Sequence, residues 1–421
     1  MTFPIAQVRA AFPALSVTDG GRPRAYFDAP GGTQVCAPAI AAMVAHLEGG
    51  TANSGGAFAA SVETDALSDA AHAAMADLIG GSADEIAFGP NMTSLTLAVS
   101  RALAPQWSAG DELVVTRLDH DANIAPWLRV AADRGMTVRW LDFDPATGVL
   151  DVASLPALLG ERTRLVAVGA ASNALGTLND IVAIVEIVRR HCKALVFVDA
   201  VQSVPHVPVD VRALGCDLLV CSPYKFFGPH QGVLWGRAAL LETIDAYKVR
   251  PARSSPAATR FETGTPSFEA QAGVAGTIAY LEWLGMQVGG DRANDRGTRL
   301  RLAMTACAAH ECALGGRLLA GLATIPGLTL FGPPTMAGRV PTFAFTIAGH
   351  APDAIARALA ARNIFVWSGH FYAVEVVARL GLADSGGLVR VGLAHYTTTD
   401  EVDALVAALR EVTGDGPGTC A

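Results

Sequence analysis

The stretch from Leu195 to Gly236, LVFVDAVQSVPHVPVDVRALGCDLLVCSPYKFFGPHQGVLWG, constrains the fold of this chain more than any other. Its two apolar runs, LVFVD and DLLVCS, are short, rich in β-branched residues and broken off by polar side chains, the pattern of buried strands. Ligands of an open parallel sheet bind beyond the carboxyl ends of its strands. Asp199 and Gln202 follow the first run, and Ser222 and Lys225 follow the second, so one pocket would receive an acid, an amide, a hydroxyl and an amine. A lysine ending an apolar strand beside Ser222, Tyr224 and two phenylalanines is desolvated, which favours its neutral, nucleophilic form. That form is what a Schiff base with an aldehyde cofactor requires. A buried Asp199 at the neighbouring strand end would keep a pyridine nitrogen protonated, so that the ring takes up electrons from a carbanion. Taken singly, the two residues read better as a surface lysine and a helix-capping aspartate; together, in this order and spacing, they favour the cofactor.

The rest of the composition narrows the partners. A formal charge of −8 and the lack of any Lys/Arg cluster argue against nucleic acid. No apolar run reaches the length of a membrane span. The N-terminal MTFPIAQVRAAFPAL reads as a short amphipathic helix without the basic start and long apolar run of a signal peptide, so a cytoplasmic enzyme of small metabolites is expected. The cysteines at 36, 192, 216, 221, 307, 312 and 420 are odd in number and form no CxxC pair, which points to reduced thiols and to no metal set. Cys36, before Ala-Pro at a helix start, is a candidate nucleophile that reads better as a buried thiol.

Strands and helices alternate from about residue 26 to 275, which predicts a mainly parallel sheet between helices. A short strand, Tyr26 to Asp28, breaks into Ala29-Pro30-Gly31-Gly32, where glycine permits either a sharp turn or close approach to a ligand. A helix is expected over Val62 to Ile79. EIAFGPNMTSLTLAVSRAL reads as strand, turn and helix, with Asn91, Met92 and Thr93 at a helix N-terminus; this suits either a phosphate site or ordinary capping. His120 ends a strand, a helix is expected over Val152 to Leu159, and Asn173 follows VAVGAAS. A long helical stretch from Phe268 to Ala323 leads to a second unit with strands near VPTFAFTIAG, NIFVWSG and LVRVGLAHY. Arg390 sits in the last of these, where an arginine is costly unless it meets a carboxylate of a ligand or of the protein. His370 and Tyr372 are the other polar outliers.

VDAVQSVPH, then D-x-L-V-x-S-x-x-K-x-x-G-P and G-V-L-W-G, resembles the pyridoxal-phosphate lysine region of class V aminotransferases and cysteine desulfurases, and the likeness extends over nearly the whole chain. It implies a fold type I pyridoxal-phosphate enzyme: a large α/β domain over 26–275, a small α+β domain over 276–421, the segment 1–25 joined to the small one, and a homodimer with active sites at the subunit interface. It implies that Lys225 carries pyridoxal 5'-phosphate, Asp199 the pyridine nitrogen, Gln202 and Asn173 the ring oxygen and His120 the ring face. Tyr224 lies beside the cofactor. The phosphate falls to Asn91, Met92, Thr93, Ser222 and, from the neighbouring subunit, Thr265. Arg390 then meets the substrate carboxylate, with His370, Tyr372, Pro30 and Gly31 around the substrate. Members of the family carry a Y-L-D-N-A-A-T-T-like stretch where this chain has PGGTQ. The family's mobile loop carries a nucleophilic cysteine in a stretch like G-H-x-C, and here SGHFYAV places Tyr372 there. The expectation is therefore desulfurase-like or C–S lyase chemistry on a small sulfur-containing L-amino acid, with an aminotransferase or epimerase as the alternative and a non-catalytic cofactor-binding protein behind both.

Overall fold

The computed structural model describes residues 3–289 and 295–414; Cys420 lies outside them. Its centre is a seven-stranded sheet made of β1 (Ile86–Gly89), β2 (Glu112–Thr116), β3 (Thr137–Leu141), β4 (Thr163–Gly169), β5 (Leu195–Asp199), β6 (Leu218–Cys221) and β7 (Gly232–Gly236), in the order β1-β7-β6-β5-β4-β2-β3. β7 runs antiparallel to both neighbours and the other pairings are parallel. The consecutive strands β5 and β6 lie side by side, Phe197 opposite Leu218 and Asp199 opposite Val220, so their carboxyl ends open at one level.

Alternation of side chains across the sheet explains why these runs are apolar throughout. Val196 and Val198 of β5 enter the core on one face and Phe197 enters the core on the other, all fully buried. Burying each contributes about 1.5–3 kcal/mol. The helix Ile181–His191 covers one face with Ile184, Val185 and Val188. Asp180 accepts from Ala183 N at its start, and Arg189, Arg190 and His191 lie where cations suit the helix end.

A second sheet, β8 (Leu328–Phe331), β9 (Thr342–Ile347), β10 (Trp367–Gly369) and β11 (Leu388–Gly392), is wholly antiparallel in the order β8-β9-β11-β10. Phe343, Phe345, Val389 and Val391 pack there with Leu314 and Leu318 from the helix Arg296–Leu322 and Leu405 and Leu409 from Thr399–Gly414. The N-terminal part of the chain belongs to this sheet's surroundings: Ala25–Tyr26 pairs in parallel with Ile364–Phe365.

Several expected elements shift. The strand at Tyr26–Asp28 is Ala25–Tyr26, and Asp28 makes only a single bridge to Gly392. The helix expected from Val62 begins at Ala59. Val152–Leu159 is a 3-10 turn, Val152–Ser154, and one α turn, Leu155–Leu158, because Pro156 has no N–H with which to bond back to Val152 and make one helix of them. The stretch 268–323 is two helices, Phe268–Gly289 and Arg296–Leu322, the second capped by Asp295 accepting from Thr298 N. Residues 275 and 276 lie inside the first. The helix Ala37–Glu48 leaves Ile40, Val44 and Leu47 exposed, 42%, 43% and 56%, at a spacing that puts them on one face.

Candidate active site

Beyond the carboxyl end of β6 the chain turns through Pro223–Lys225, and Lys225 is 8% exposed there. Lys225 Nζ donates to the Pro30 carbonyl at 2.5 Å, and Gln202 Nε2 donates to the same oxygen at 2.9 Å. The loop bearing Pro30 is seated on β11, since a Cβ at Gly392 would lie 1.9 Å from Pro30 Cδ. Only glycine allows that approach. Ser222 Oγ accepts from Met92 N at 3.2 Å, tying the β6 end to the N-terminus of the helix Met92–Leu103, where the Asn91 side chain accepts from Ser94 N. β7 passes so close that a Cβ on Gly232 would meet the Asn91 carbonyl carbon at 2.4 Å.

Burial dominates the electrostatics. It brings the Lys225 amine down to about 7, with the Arg390 charge adding to the effect and Asp199 and Asp28 opposing it. It raises Asp199 to about 6, although that carboxylate accepts from Val201 N at 2.9 Å and feels Lys225. His120 is pushed down to about 4 by burial and by the charges of Lys225 and Arg390, so its ring is neutral at physiological pH. Its Nδ1 accepts from Ala122 N at 3.0 Å. The turn holding it is fixed by the buried Asp119, which accepts from Thr116, Asn123 and Gly169.

Arg390 reaches the site from β11, buried, and burial lowers its guanidinium to about 9. Nη1 donates to the Asn173 carbonyl at 2.9 Å, the Phe371 ring lies 4.2 Å from its carbon centre, and Nε has no partner among the described residues. Asn173 Nδ2 donates to the Phe371 carbonyl at 2.8 Å, while its Oδ1 is also buried without a partner among them. Tyr372, 67% exposed, lays its ring on His120 at 5.4 Å and 20°. Its N–H donates to His370 Nδ1 at 3.0 Å and its carbonyl accepts from Asp121 N at 2.8 Å. Phe371 and Tyr372 hold φ of 55° and 59°, a region non-glycine residues seldom occupy. The loop from β10 is thus fastened over the site by its backbone and two aromatic rings.

Lys225, Asp199, Gln202, Asn173, His120, Tyr372 and Arg390 are therefore linked into one cluster through direct contacts and shared charges. Tyr224 stacks on His230 at 4.8 Å beneath Lys225 Nζ, and Gly31 lies against Trp367. Thr93 is exposed at the helix N-terminus. Thr265 is exposed too, on a recess of about 400 Å³ lined also by Asn53, Arg253 and Glu262, a recess to which Lys225 does not contribute. Cys36 is fully buried, with its thiol pushed up to about 11, which removes it as a nucleophile. Three residues of the site carry no signal in the sequence: Asp28, Asp119 and Phe371. Asp28 stands before an evident turn, Asp119 beside the more conspicuous His120, and Phe371 between the more conspicuous His370 and Tyr372.

Comparison with known proteins agrees along the whole chain. The family model described as aminotransferase class-V matches residues 25–405. A cysteine desulfurase of Dickeya dadantii is 34% identical over 97% of this chain and 97% of its own length. An aminotransferase-like protein of Gibberella zeae is 33% identical over 98% of this chain and 99% of its own length. Among solved structures, the apo cysteine desulfurase from Thermococcus onnurineus superposes with a TM-score of 0.85 at 26% identity, covering 98% of this chain and 99% of that one. The Escherichia coli cysteine desulfurase CsdA gives 0.82 at 26% with the same coverage. The chain is a member of the class V aminotransferase family, an enzyme with the fold type I architecture of the cysteine desulfurases.

Proposed function

We propose that the protein is a pyridoxal-phosphate enzyme that cleaves the C–S bond of a small sulfur-containing L-amino acid by elimination. The observation that carries this reading is the site's arrangement: a buried amine near its neutral form between a carboxylate and a buried arginine, with a tyrosine and no thiol on the covering loop. The buried Asn173 Oδ1 and Arg390 Nε, both without partners among the described residues, fit a polar ligand held between β5, β6 and β11. The helix N-terminus at Asn91, Met92 and Thr93, with Ser222, fits its phosphate.

Bound pyridoxal phosphate supplies an electron sink for the bond breaking at Cα. Lys225 would be the attachment point, and its amine, near its neutral form, would take and hold the Cα proton. Asp199 would hold the pyridine nitrogen, Gln202 and Asn173 the ring oxygen, and neutral His120 would support the ring. Arg390 receives the α-carboxylate in two hydrogen bonds. Tyr372, on His120, occupies the place from which a loop thiol would attack the sulfur. Among the described cysteines, 36, 216, 221 and 307 are buried, and Cys192 and Cys312 lie on or next to helices away from the covering loop in sequence.

The same reading keeps a large unit over 26–275 and a small one over 276–421, with 1–25 attached to the second through the Ala25–Tyr26 pairing. It makes the chain a homodimer in which Thr265 serves the neighbouring site and the exposed stripe Ile40, Val44 and Leu47 is covered. The test is mass spectrometry of the products after anaerobic incubation of the holoenzyme with L-cysteine and S-substituted cysteines. Pyruvate with released sulfide or thiol is expected. Alanine with protein-bound persulfide would replace elimination by desulfuration, and a keto acid with pyridoxamine phosphate would make the protein an aminotransferase.

A further inference from the structure

Asp28 has no part in the reading above, yet its carboxyl points among the same charges. It is half-buried, its Oδ1 is shut off from solvent, and that oxygen has no partner among the described residues. The backbone fixes where it stands. Asp28 bridges Gly392, two residues beyond Arg390 on β11, and its carbonyl accepts from Gly31 N at 2.7 Å. Two residues further on, the Pro30 carbonyl takes the Lys225 amine. The carboxyl feels the charges of both Arg390 and Lys225, and the buried Tyr396 phenol feels the carboxyl in turn. Asp199 acts on the same lysine from the β5 side. Two carboxyls thus act on the Arg390 guanidinium and the Lys225 nitrogen, and burial has already raised Asp28 to about 6.

An amino acid brings a third carboxylate onto Arg390. That spends the cation which held Asp28 ionised, so the proton affinity of Asp28 rises at the moment an ammonium group arrives beside it. An α-ammonium is not a nucleophile until it loses a proton. We propose that Asp28 is the base that takes the proton from the substrate's α-ammonium group as its carboxylate docks on Arg390. One N–H bond breaks with its electron pair left on nitrogen, an O–H bond forms at Asp28 Oδ1, and no other reactant is needed. The step precedes any choice between elimination, transamination and epimerisation. It rests only on the assignment of Arg390 to the carboxylate and Lys225 to the cofactor.

The experiment counts protons. Propionate, a carboxylate without an amine, is titrated calorimetrically into the holoenzyme near neutral pH in buffers of different ionisation enthalpy. Binding should draw a large fraction of one proton from the buffer, and Asp28→Asn should bind propionate with that uptake lost. Asp28→Glu should restore it. The same titration with 2-methylalanine, which carries its own ammonium, should show little net exchange in the wild type, a contrast that needs no variant. Uptake unchanged in Asp28→Asn, no uptake in the wild type, or net proton release with 2-methylalanine overturns the assignment of Asp28. Failure of propionate to bind at all, or binding unaffected by Arg390→Ala, overturns the carboxylate site itself and the proposal with it.

Discussion

Replacing Lys225 with methionine should stabilise the cofactor-free protein at mildly acidic pH. The native amine is brought from its ordinary 10.5 to about 7, first by burial and then by Arg390. A lysine lowered in this way binds fewer protons in the folded than in the unfolded chain between about 7 and 10.5. Its penalty is therefore complete below that window and fades as pH rises through it. At about 1.4 kcal/mol per unit of pKa, the full penalty is of the order of 5 kcal/mol. Methionine matches the lysine stem and carries no charge, but it forfeits the hydrogen bond to the Pro30 carbonyl, worth about 1 kcal/mol. Asp28 and Asp199 also lose their cation, a cost small near pH 6, where both take up protons. The variant should thus lead by about 2–4 kcal/mol near pH 6. The lead should shrink by at least about 1.4 kcal/mol per pH unit above 7, because the amine and the two carboxyls push the same way. Urea unfolding of the two apoproteins at several pH values measures it directly. A gap that is constant with pH, or one that widens toward alkaline pH, would refute the account of Lys225 as a desolvated amine.

Two further outcomes follow from packing. Gly392→Ala puts a methyl group 1.9 Å from Pro30 Cδ, so the loop must retreat by about 1.5 Å and take the Pro30 carbonyl from Lys225 and Gln202. Turnover should fall on the order of 100-fold, whereas Gly316→Ala, on an exposed helical turn with nothing within 4 Å, should leave turnover intact; equal activity of the two variants would dismiss the loop as a positioning element. Val44→Asp, in the exposed apolar stripe, should shift the protein from dimer to monomer in sedimentation and weaken cofactor retention; an unchanged sedimentation coefficient would place the interface elsewhere.

The sequence makes legible whatever lies within one strand and its turn. β5 and β6 are readable because short unbroken apolar runs ending in polar side chains and bounded by turn residues are the pattern of buried strands, and Asp199, Gln202, Ser222 and Lys225 come with them. What escapes depends on contacts across the chain. Asp28 looks like the end of a short strand until Gly392, some hundreds of residues later, brings it beside Arg390. Phe371 is an ordinary aromatic until its ring is laid on a guanidinium and its carbonyl on Asn173. Elements also shift for local reasons: Pro156 cannot bond back to Val152, which keeps Val152–Leu159 from being one helix, and Asp295 caps the start of the second helix within 268–323.

The Pro30 carbonyl carries a lesson about inheritance. The amine on which the chemistry depends is held by an atom that every amino acid possesses. A loop written here with proline and glycines can therefore change in composition while the anchoring oxygen stays in place. What selection must preserve at this position is a path of the backbone, guarded by the missing side chain of Gly392, and such a constraint leaves almost no trace in the letters of the loop itself.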